Sequence, residues 1–483
     1  MNMRKKLIAA ALAVLFLLAV PQYARAASLS PPAEPIRIAF IDSGISTRHI
    51  DPAHVAEGRN YVFPESNTQD RLGHGTATAG MVLGAEEQGV VGVCPEAVAV
   101  PLVVMDAYPS GVVLNGGTEA LCQALLDAVD VFHCQIVNVS LSASEDSPEL
   151  RNAVEHAEAQ GVLVISAVGN DGAEGAACFP AAYDTVIAVG SADGAEPAAF
   201  SQLGANVLAR GVHLPAPTHR SSLRPATVSG TSYSCALVAG FCARLLLRYP
   251  VMTPSAVRHA LCCLADDLGT PGYDEESGWG LLRTDRTIPP AFSDVELDSW
   301  MFPGVFYAAA RGLMNGVGDG SFAPDAHLTR AMAVTVLWRS ADCPAAEAPL
   351  GFADVEADAW YAEAVRWASE TGVVTGYDAE RFGPEDDLNR EQLAAILYRY
   401  ARRSGQLAAD ADAGETGAVL EAFADGDQIS TWAVDAVRWA VGRSLLTGSV
   451  ANSISPQAPA TRAQVATILM RLDRVIGTAP AVF

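Results

Sequence analysis

The chain has 483 residues, half of them hydrophobic, and its 31 Lys and Arg stand against 55 Asp and Glu, for a formal net charge of −24. This length predicts two or three folded units, and this composition excludes a wholly disordered chain. So acidic a protein is not expected to bind nucleic acid, because the phosphate backbone requires a basic surface. An anionic ligand would have to be held by a local arginine pocket.

The first 26 residues are predicted to be a secretory signal peptide. Three basic residues at positions 4–6 precede the apolar run 7–20, and Ala24-Arg25-Ala26 forms a small-x-small cleavage site. The apolar run is too short for a stable transmembrane helix, and no later stretch is long enough. We therefore expect export, with no membrane contact after the signal is cleaved.

Nine cysteines occur, eight of them between Cys94 and Cys263. An odd number leaves at least one thiol unpaired or intermolecular, and the sequence does not define the pairing. Several cysteines lie in apolar runs, which favours small buried side chains. Because no Cys-x-x-Cys pair or Cys/His cluster is present, we predict no metal site and no cofactor.

After the signal peptide, short apolar strands alternate with helical stretches. The first strand runs from Ile36 to Asp42, and a glycine-flanked loop with His74 then opens a helix of small residues. Alternation of this kind indicates right-handed crossovers and an α/β fold, with a mostly parallel sheet and helices on both faces. The later predicted strands are 98–105, 136–142 and 162–168, and the predicted helices between them are 119–131 and 148–160.

Four polar residues stand at the ends of these elements: Asp42, His74, Asn170 and Ser232. Each alone is more often a cap or a turn residue. Ser232 opens the helical run that follows Gly230, where free backbone N–H groups stabilise a developing negative charge. Acyl transfer requires a hydroxyl, an imidazole, a carboxylate and an oxyanion donor. As an ordered set, the four residues therefore predict nucleophilic catalysis by serine.

From residue 35 to about residue 285 the chain resembles the subtilisin-type serine peptidases. Four blocks carry the resemblance, and they read IDSGI, GHGT, SAVGN and SGTS in chain order. The resemblance implies that Asp42 orients the imidazole, that His74 is general base and then acid, and that Ser232 attacks the peptide bond. It also implies that Asn170 donates to the oxyanion, and that a peptide substrate pairs with Ser140, Leu141, Ser142 and Gly169.

Several positions depart from that family's pattern. Tyr-Ser-Cys-Ala follows Ser232 where a proline is usual, and Ala77 stands where a second histidine is common. Loop 84–91 lacks the Asn-rich sequence that carries a calcium ion in some relatives, so a structural calcium is not supported. Asp42 lies 16 residues after the predicted cleavage site, which leaves no room for a folding pro-segment.

A second pattern occurs three times after the Pro-Pro break at 289–290. Each unit opens with Phe-x-Asp followed by a tryptophan, and each ends with an arginine at a predicted helix start. Both sets repeat with spacings of 60 and 72 residues, which indicates one supersecondary unit used three times. The residues are Trp300, Trp360 and Trp432, and Arg330, Arg390 and Arg462.

These units resemble S-layer homology repeats. We therefore expect a peptidase domain over 27–288, followed by a mainly α-helical module of repeats at 292–340, 352–402 and 422–473, with a linker at 403–421. The resemblance implies that the module binds a secondary polysaccharide of the bacterial cell wall, which would hold the secreted protein at the cell surface. The arginines and tryptophans named above are the candidate wall-binding residues.

The sequence allows two interpretations of the repeat residues and two of the whole chain. The tryptophans could instead be core anchors, and the arginines could pair with Asp294, Asp354 and Asp425. For the whole chain, a wall-bound serine endopeptidase that cleaves proteins or peptides is favoured. The alternative is a catalytically weak or inactive wall-bound structural or adhesive protein that binds peptides.

Overall fold

The computed structural model describes residues 35–172, 175–270, 272–297, 299–403, 420–448 and 452–476. The predicted signal peptide lies outside the described residues, as does nearly all of the predicted linker at 403–421.

The amino-terminal part contains fourteen strands and five α-helices within the described residues. The strands are β1 (Arg37–Asp42), β2 (Arg59–Asn60), β3 (Val98–Val103), β4 (Met105–Ala107), β5 (Val113–Asn115), β6 (Ile136–Val139), β7 (Leu163–Ala167), β8 (Ile187–Asp193), β9 (Glu196–Pro197), β10 (Val207–Arg210), β11 (Leu214–Ala216), β12 (Ala226–Val228), β13 (Ala265–Asp266) and β14 (Leu281–Leu282). The helices are α1 (His74–Leu83), α2 (Gly117–Asp130), α3 (Pro148–Ala159), α4 (Thr231–Arg248) and α5 (Pro254–Leu264).

The main sheet has the order β13-β14-β10-β8-β7-β6-β1-β3-β2, with β9 paired to β8. All pairs along this path are parallel except β13 with β14. β1 lies between β6 and β3, and its last residue, Asp42, is in register with Val103. The predicted α/β fold with a mostly parallel sheet is therefore confirmed. Because the strands are parallel, residues that follow them meet at one edge, where α/β proteins place their sites.

Helix α4 is the buried helix of this domain. It packs against α1 and against strands β6, β7, β8 and β10. Its small residues allow this close approach: a side chain at Gly240 would meet Val93 at 2.9 Å. Cys235 and Cys242 are fully buried in this helix, and burial raises the pKa of both thiols. All nine cysteines lie within the described residues, and none of them forms a disulfide.

The carboxyl-terminal part is helical, as predicted. Its helices are α6 (Phe302–Ala310), α7 (Arg330–Ser340), α8 (Ala362–Glu370), α9 (Arg390–Arg403), α10 (Val434–Gly442) and α11 (Arg462–Ile476). The three repeats close into a ring through the backbone just before α7, α9 and α11. Leu328 N–H donates to the carbonyl of Ala460, Ala460 N–H to Leu388, and Leu388 N–H back to Leu328, at 2.8 to 2.9 Å. Each repeat is therefore hydrogen-bonded to both of the others.

The repeats pack directly on the amino-terminal domain. Helix α5 contacts α6, and Cys263 Sγ lies 3.6 Å from Met470 Sδ of α11. Tyr249, at the end of α4, contacts the rings of Phe302 and Phe306, with centroids 5.9 and 5.8 Å away. Buried apolar residues of both parts form one continuous cluster. The two parts therefore share a core.

Arg311 anchors the polar side of this contact. Its guanidinium donates to the carbonyl of Ala265 at 2.8 Å and lies 3.6 Å from Asp266 and 3.8 Å from Asp473. The Arg311 side chain is only 17% exposed, so the guanidinium depends on these protein partners and has little contact with water. A buried cation held in this way is costly to remove, because its carboxylate partners then lose their countercharge.

We predict that Arg311→Ala lowers the free energy of unfolding by about 3 kcal/mol, measured by chemical denaturation of the whole chain. Arg381→Ala is the matched control, since Arg381 is 61% exposed and lies 3.3 Å from Asp386 at the surface. The control is expected to cost less than about 1 kcal/mol. Equal effects of the two changes would contradict a structural role for the Arg311 contact.

Candidate active site and repeat junctions

Asp42 lies at the carboxyl end of β1 and is fully buried. A buried carboxylate needs hydrogen bonds to offset the loss of water. The N–H of Ser43 donates to Oδ1 at 2.7 Å, and Thr78 Oγ1 donates to Oδ2 at 3.1 Å. Thr78 lies one turn after His74 on α1, a spacing that places both side chains on the same face of the helix. The sequence analysis did not identify Thr78, although this spacing points to it.

His74 is the first residue of α1 and lies beside Asp42. Its Nδ1 is 2.8 Å from Asp42 Oδ1 and 3.0 Å from Oδ2. Burial of the ring opposes protonation, but the charge of Asp42 and its hydrogen bond, with a contribution from Asp70, outweigh burial and raise the pKa of His74. The arrangement leaves Nε2 as the ring nitrogen that can accept a proton.

Asp70 shapes the loop that delivers His74. The Asp70 carboxylate is buried and accepts hydrogen bonds from the backbone of Leu72, Gly73 and Thr76 at 2.7 to 2.9 Å. Gly73 precedes the helix with a φ of 94°, a conformation that favours glycine. The loop is thus fixed by one buried acid, which was not identified from the sequence.

Ser232 is the second residue of α4 and is 7% exposed. Its Oγ donates to the carbonyl oxygen of Ser140 at 3.1 Å. The hydroxyl does not bond to His74 in this structure. The preceding Gly230 has a φ of 150°, which turns the chain sharply into the helix start. Ser232 therefore stands in the first helical turn, where its own backbone N–H has no acceptor within the helix.

Asn170 follows β7 and faces the same helix start. Its Oδ1 accepts hydrogen bonds from the Thr231 N–H at 2.9 Å and from Thr231 Oγ1 at 3.1 Å. Because the amide oxygen of Asn170 points towards Thr231, the amide nitrogen points away from Thr231. The residue is exposed, so this nitrogen can donate to a ligand beside Ser232.

The predicted substrate-binding segment follows β6. Ser140 is buried, and its carbonyl holds Ser232, whereas Leu141 is half-buried and Ser142 is exposed. Gly169 precedes Asn170, so the fourth predicted residue also adjoins the site. A cavity of about 290 Å³ lies at this segment, and its lining includes Leu141, Ser142, Glu145, Val104, Asn115 and Leu121. The structure thus brings the predicted site residues to one edge of the sheet.

Tyr233 is a further aromatic residue at the site. Its ring lies 5.4 Å from the His74 ring, between centroids, with a tilt of 43°. Burial, followed by the charge of Asp42, raises the pKa of the Tyr233 hydroxyl. In the sequence Tyr233 is only a departure from a family pattern, because a ring contact between two helices cannot be recognised from the sequence.

Within the residues that the structure describes, no cluster of three or more His, Cys, Asp or Glu side chains is arranged to hold a metal ion. No helix among the same residues is long and apolar enough to cross a membrane.

The three repeat tryptophans are exposed at the surface. Trp300, Trp360 and Trp432 are 60%, 61% and 56% exposed. The alternative that they are core anchors is therefore wrong. Two other tryptophans fill that role, since Trp367 and Trp439 are almost completely buried.

The repeat arginines lie at the junctions between repeats. Each is the first residue of its helix, and each donates from Nε to a backbone carbonyl of the next repeat around the ring. Arg330 reaches Phe382 at 3.0 Å, Arg390 reaches Ile454 at 2.7 Å, and Arg462 reaches Phe322 at 2.9 Å. Burial lowers the pKa of all three guanidinium groups. A second nitrogen of each also bonds to a carbonyl of that neighbouring repeat.

The repeat aspartates do not form ion pairs with these arginines. Asp294 accepts the N–H groups of Phe322 and Ala323, and Asp354 accepts those of Phe382 and Gly383, at 2.7 to 2.8 Å. Asp425 does the same in the third repeat. The predicted alternative of Arg–Asp pairing is therefore wrong: the aspartates fix the turn within a repeat, and the arginines join neighbouring repeats.

The fold and this arrangement of side chains define a serine-type peptidase with a parallel α/β sheet. The chain belongs to the subtilase family, whose model matches residues 34–280. The model of the S-layer homology domain matches three times, at residues 291–333, 351–394 and 422–466.

Curated relatives match the peptidase part. Subtilisin DY of Bacillus licheniformis is 35% identical over 263 residues, which cover 52% of this chain and 89% of that protein. The minor extracellular protease Epr of Bacillus subtilis (strain 168) is 36% identical over 256 residues, covering 51% of this chain and 38% of that protein. Among solved structures, sphericase aligns with 26% identity and a TM-score of 0.47, covering 52% of this chain and 91% of that one.

We predict that peptidase activity rises with pH through the titration of His74, because only the neutral imidazole accepts a proton. Since the pKa of His74 is raised, the rising limb should lie above the ordinary value of about 6.5. Asp42→Asn should move this limb to lower pH and reduce kcat by about 10⁴-fold, measured as kcat against pH.

The control for this prediction is Asp130→Asn, which removes a surface acid lying 2.9 Å from His156. This change should leave the limb in place. A limb that stays at the same pH in Asp42→Asn would contradict the role of Asp42.

Proposed function

We propose that the protein is an exported endopeptidase that hydrolyses peptide bonds through an acyl-enzyme on Ser232. The observation that carries the proposal is the buried Asp42 carboxylate on Nδ1 of His74, next to a serine at a helix start. A carboxylate in this position selects the tautomer whose Nε2 is unprotonated, and it stabilises the imidazolium that forms.

The proposed reaction has two halves. His74 takes the proton of Ser232 as Oγ attacks the carbonyl carbon, and the imidazolium then gives that proton to the leaving amine. Water, activated by the same imidazole, releases the acyl group. During both attacks the oxyanion is stabilised by the Asn170 amide and by the backbone N–H of Ser232 at the start of α4. Each step uses side chains and backbone of this chain, so the proposal requires no cofactor.

The resting position of Ser232 differs from the attacking one. Its hydroxyl donates to Ser140, so it must turn towards His74 before attack. Ser140 belongs to the segment expected to pair with an extended substrate. We propose that substrate binding along Ser140–Ser142 accompanies this turn, and that catalytic hydrogen bonds shorten only in the complex.

Ser232→Ala should reduce turnover of a casein substrate by roughly 10⁴–10⁶-fold while leaving the unfolding midpoint unchanged. Asn170→Ala should reduce kcat by about 10²–10³-fold with little change in KM, because its amide acts on charge that is present only in the transition state. Ser229→Ala is the matched control, since it removes a hydroxyl three residues away on the same turn. Wild-type turnover in Ser232→Ala would exclude the mechanism and favour a chain that only binds peptides.

The second part of the proposal concerns location. We propose that the three repeats bind a secondary polysaccharide of the cell wall and hold the peptidase at the cell surface. Three exposed indoles support this, because aromatic faces at the surface stack on sugar rings. The repeat arginines contribute to it as junction residues, since each holds two neighbouring repeats together through backbone carbonyls.

The third repeat differs from the other two at its turn, and the ring places this turn beside the arginine of repeat two. Arg390, from repeat two, meets the turn of repeat three, where Ile454 replaces the phenylalanine of the other turns. Arg462, from repeat three, meets the regular turn of repeat one at Phe322 and stacks on that ring at 4.7 Å. We therefore propose that the junctions of Arg330 and Arg462, where the turn is regular, are the stronger binding sites.

Replacing Trp300 and Trp360 together by alanine should weaken binding of the whole chain to purified sacculi by about tenfold or more, with unchanged peptidase activity. Tyr108→Ala is the control, because Tyr108 is an exposed aromatic of the peptidase part. Sacculi stripped of secondary polymer with acid should bind neither form. Equal binding to stripped and intact sacculi would mean that the repeats recognise another wall component.

A further inference from the structure

A long segment around the nucleophile is free of acidic residues. Residues 197–265 contain six arginines and no aspartate or glutamate, in a chain whose net charge is −24. Ser232 lies near the middle of this segment. The charge of the whole protein would repel an acidic substrate, so arginines that lie close to the nucleophile change which substrates can approach.

The positive charge is concentrated on one surface hairpin. We call residues 210–229 the basic hairpin; it contains β11, β12 and the loop between them. Four basic side chains on it are exposed: Arg210, His213, Arg220 and Arg224. Within the described residues, none of these four side chains has an ion pair or a hydrogen bond. The charges of the three arginines are therefore open to a ligand.

One side of the basic hairpin packs along the helix that carries His74. The ring of His219 lies against Gly73, where an added Cβ would come within 2.3 Å of Nδ1. Pro217 packs in the same way on Gly80, further along α1. These two glycines allow the hairpin to lie directly on the helix. The loop is thus fixed immediately beside the catalytic imidazole.

The base of the basic hairpin is joined to the start of α4. Gly230 N–H donates to the carbonyl of Gly211 at 2.9 Å, and His213 N–H donates to Ser229 Oγ at 2.9 Å. Ser234 Oγ donates to the Arg210 carbonyl at 3.0 Å. The hairpin therefore spans from the helix of the base to the helix of the nucleophile.

The outer edge of the hairpin is also held in place. The side chain of Gln88 accepts from Thr218 N–H at 3.1 Å and donates to the Ser222 carbonyl, while His49 Nε2 lies 2.8 Å from the Arg220 carbonyl. The Glu87 carboxylate is near this edge, and it pairs with His49 at 3.3 Å. The arginine side chains project from a loop whose backbone is already ordered.

We propose that the basic hairpin binds acidic side chains of the substrate on the leaving-group side of the scissile bond. His74 must reach the leaving amine, and the hairpin borders the helix start that bears His74. The acyl side is instead bordered by Ser140–Ser142. Exposed guanidinium groups without partners bind carboxylates through paired N–H donors. This inference rests on the proposed peptidase function and adds a substrate class to it.

The test compares two peptides that differ only after the cleaved bond, one with Asp at the second and third positions and one with Asn. The wild-type chain should cleave the acidic peptide with about tenfold higher kcat/KM at low salt. This ratio should fall towards one at about 1 M salt, where charges are screened beyond roughly 3 Å. Arg220→Gln combined with Arg224→Gln should lower the low-salt ratio to about one or two.

The matched control is Arg248→Gln, which removes one exposed arginine at the far end of α4. It lies 16 residues beyond Ser232, or about 24 Å along the helix. This control should keep the wild-type ratio. A preference that survives in the double variant, or that Arg248→Gln lowers equally, would overturn the inference.

Two further outcomes separate this inference from the proposed function. Cleavage of both peptides at equal rates by the wild-type chain contradicts the inference alone, and so does an acid preference confined to positions before the cleaved bond. No cleavage of either peptide, together with no reaction of Ser232 with a serine-directed probe, contradicts the proposed peptidase function and with it the inference.

Discussion

The hydrogen bond between Asp42 and His74 is the contact on which the site depends. A fully buried carboxylate is tolerated only with several donors, and here the Ser43 N–H, Thr78 Oγ1 and the imidazole supply them. The first donor comes from the end of the central strand and the other two from α1. The bond therefore joins the sheet to the helix. It also raises the pKa of His74, so the same contact that holds the fold prepares the base.

The sequence predicted the order of the strands and helices that form the site, but not all of the side-chain contacts between them. Asp42, His74, Asn170 and Ser232 stand at the ends of predicted strands and at helix starts, and parallel pairing brings such ends to one edge. Thr78 and Tyr233 were not identified, because their roles arise from packing between elements far apart in the chain. The exposure of Trp300 and its counterparts was also left open, since one repeat read alone does not reveal how three repeats close into a ring.

Ring closure explains where the repeat arginines act. Each guanidinium bonds to backbone carbonyls of the neighbouring repeat, at the junction between the two. The ring packs in turn on α5 and on the end of α4, the helix that begins with the nucleophile. A wall-bound ring would therefore hold the peptidase in a fixed orientation. This differs from a peptidase joined to its anchor by a flexible linker.

The central claim is that Ser232, and no other serine of this turn, becomes acylated. The most direct measurement is labelling of the whole chain with a fluorophosphonate, followed by peptide mapping. The account predicts one adduct per chain, on Ser232, which disappears when the protein is unfolded before labelling. An adduct on Ser229 or Ser234 would contradict it, as would a folded chain that cleaves casein but takes up no label.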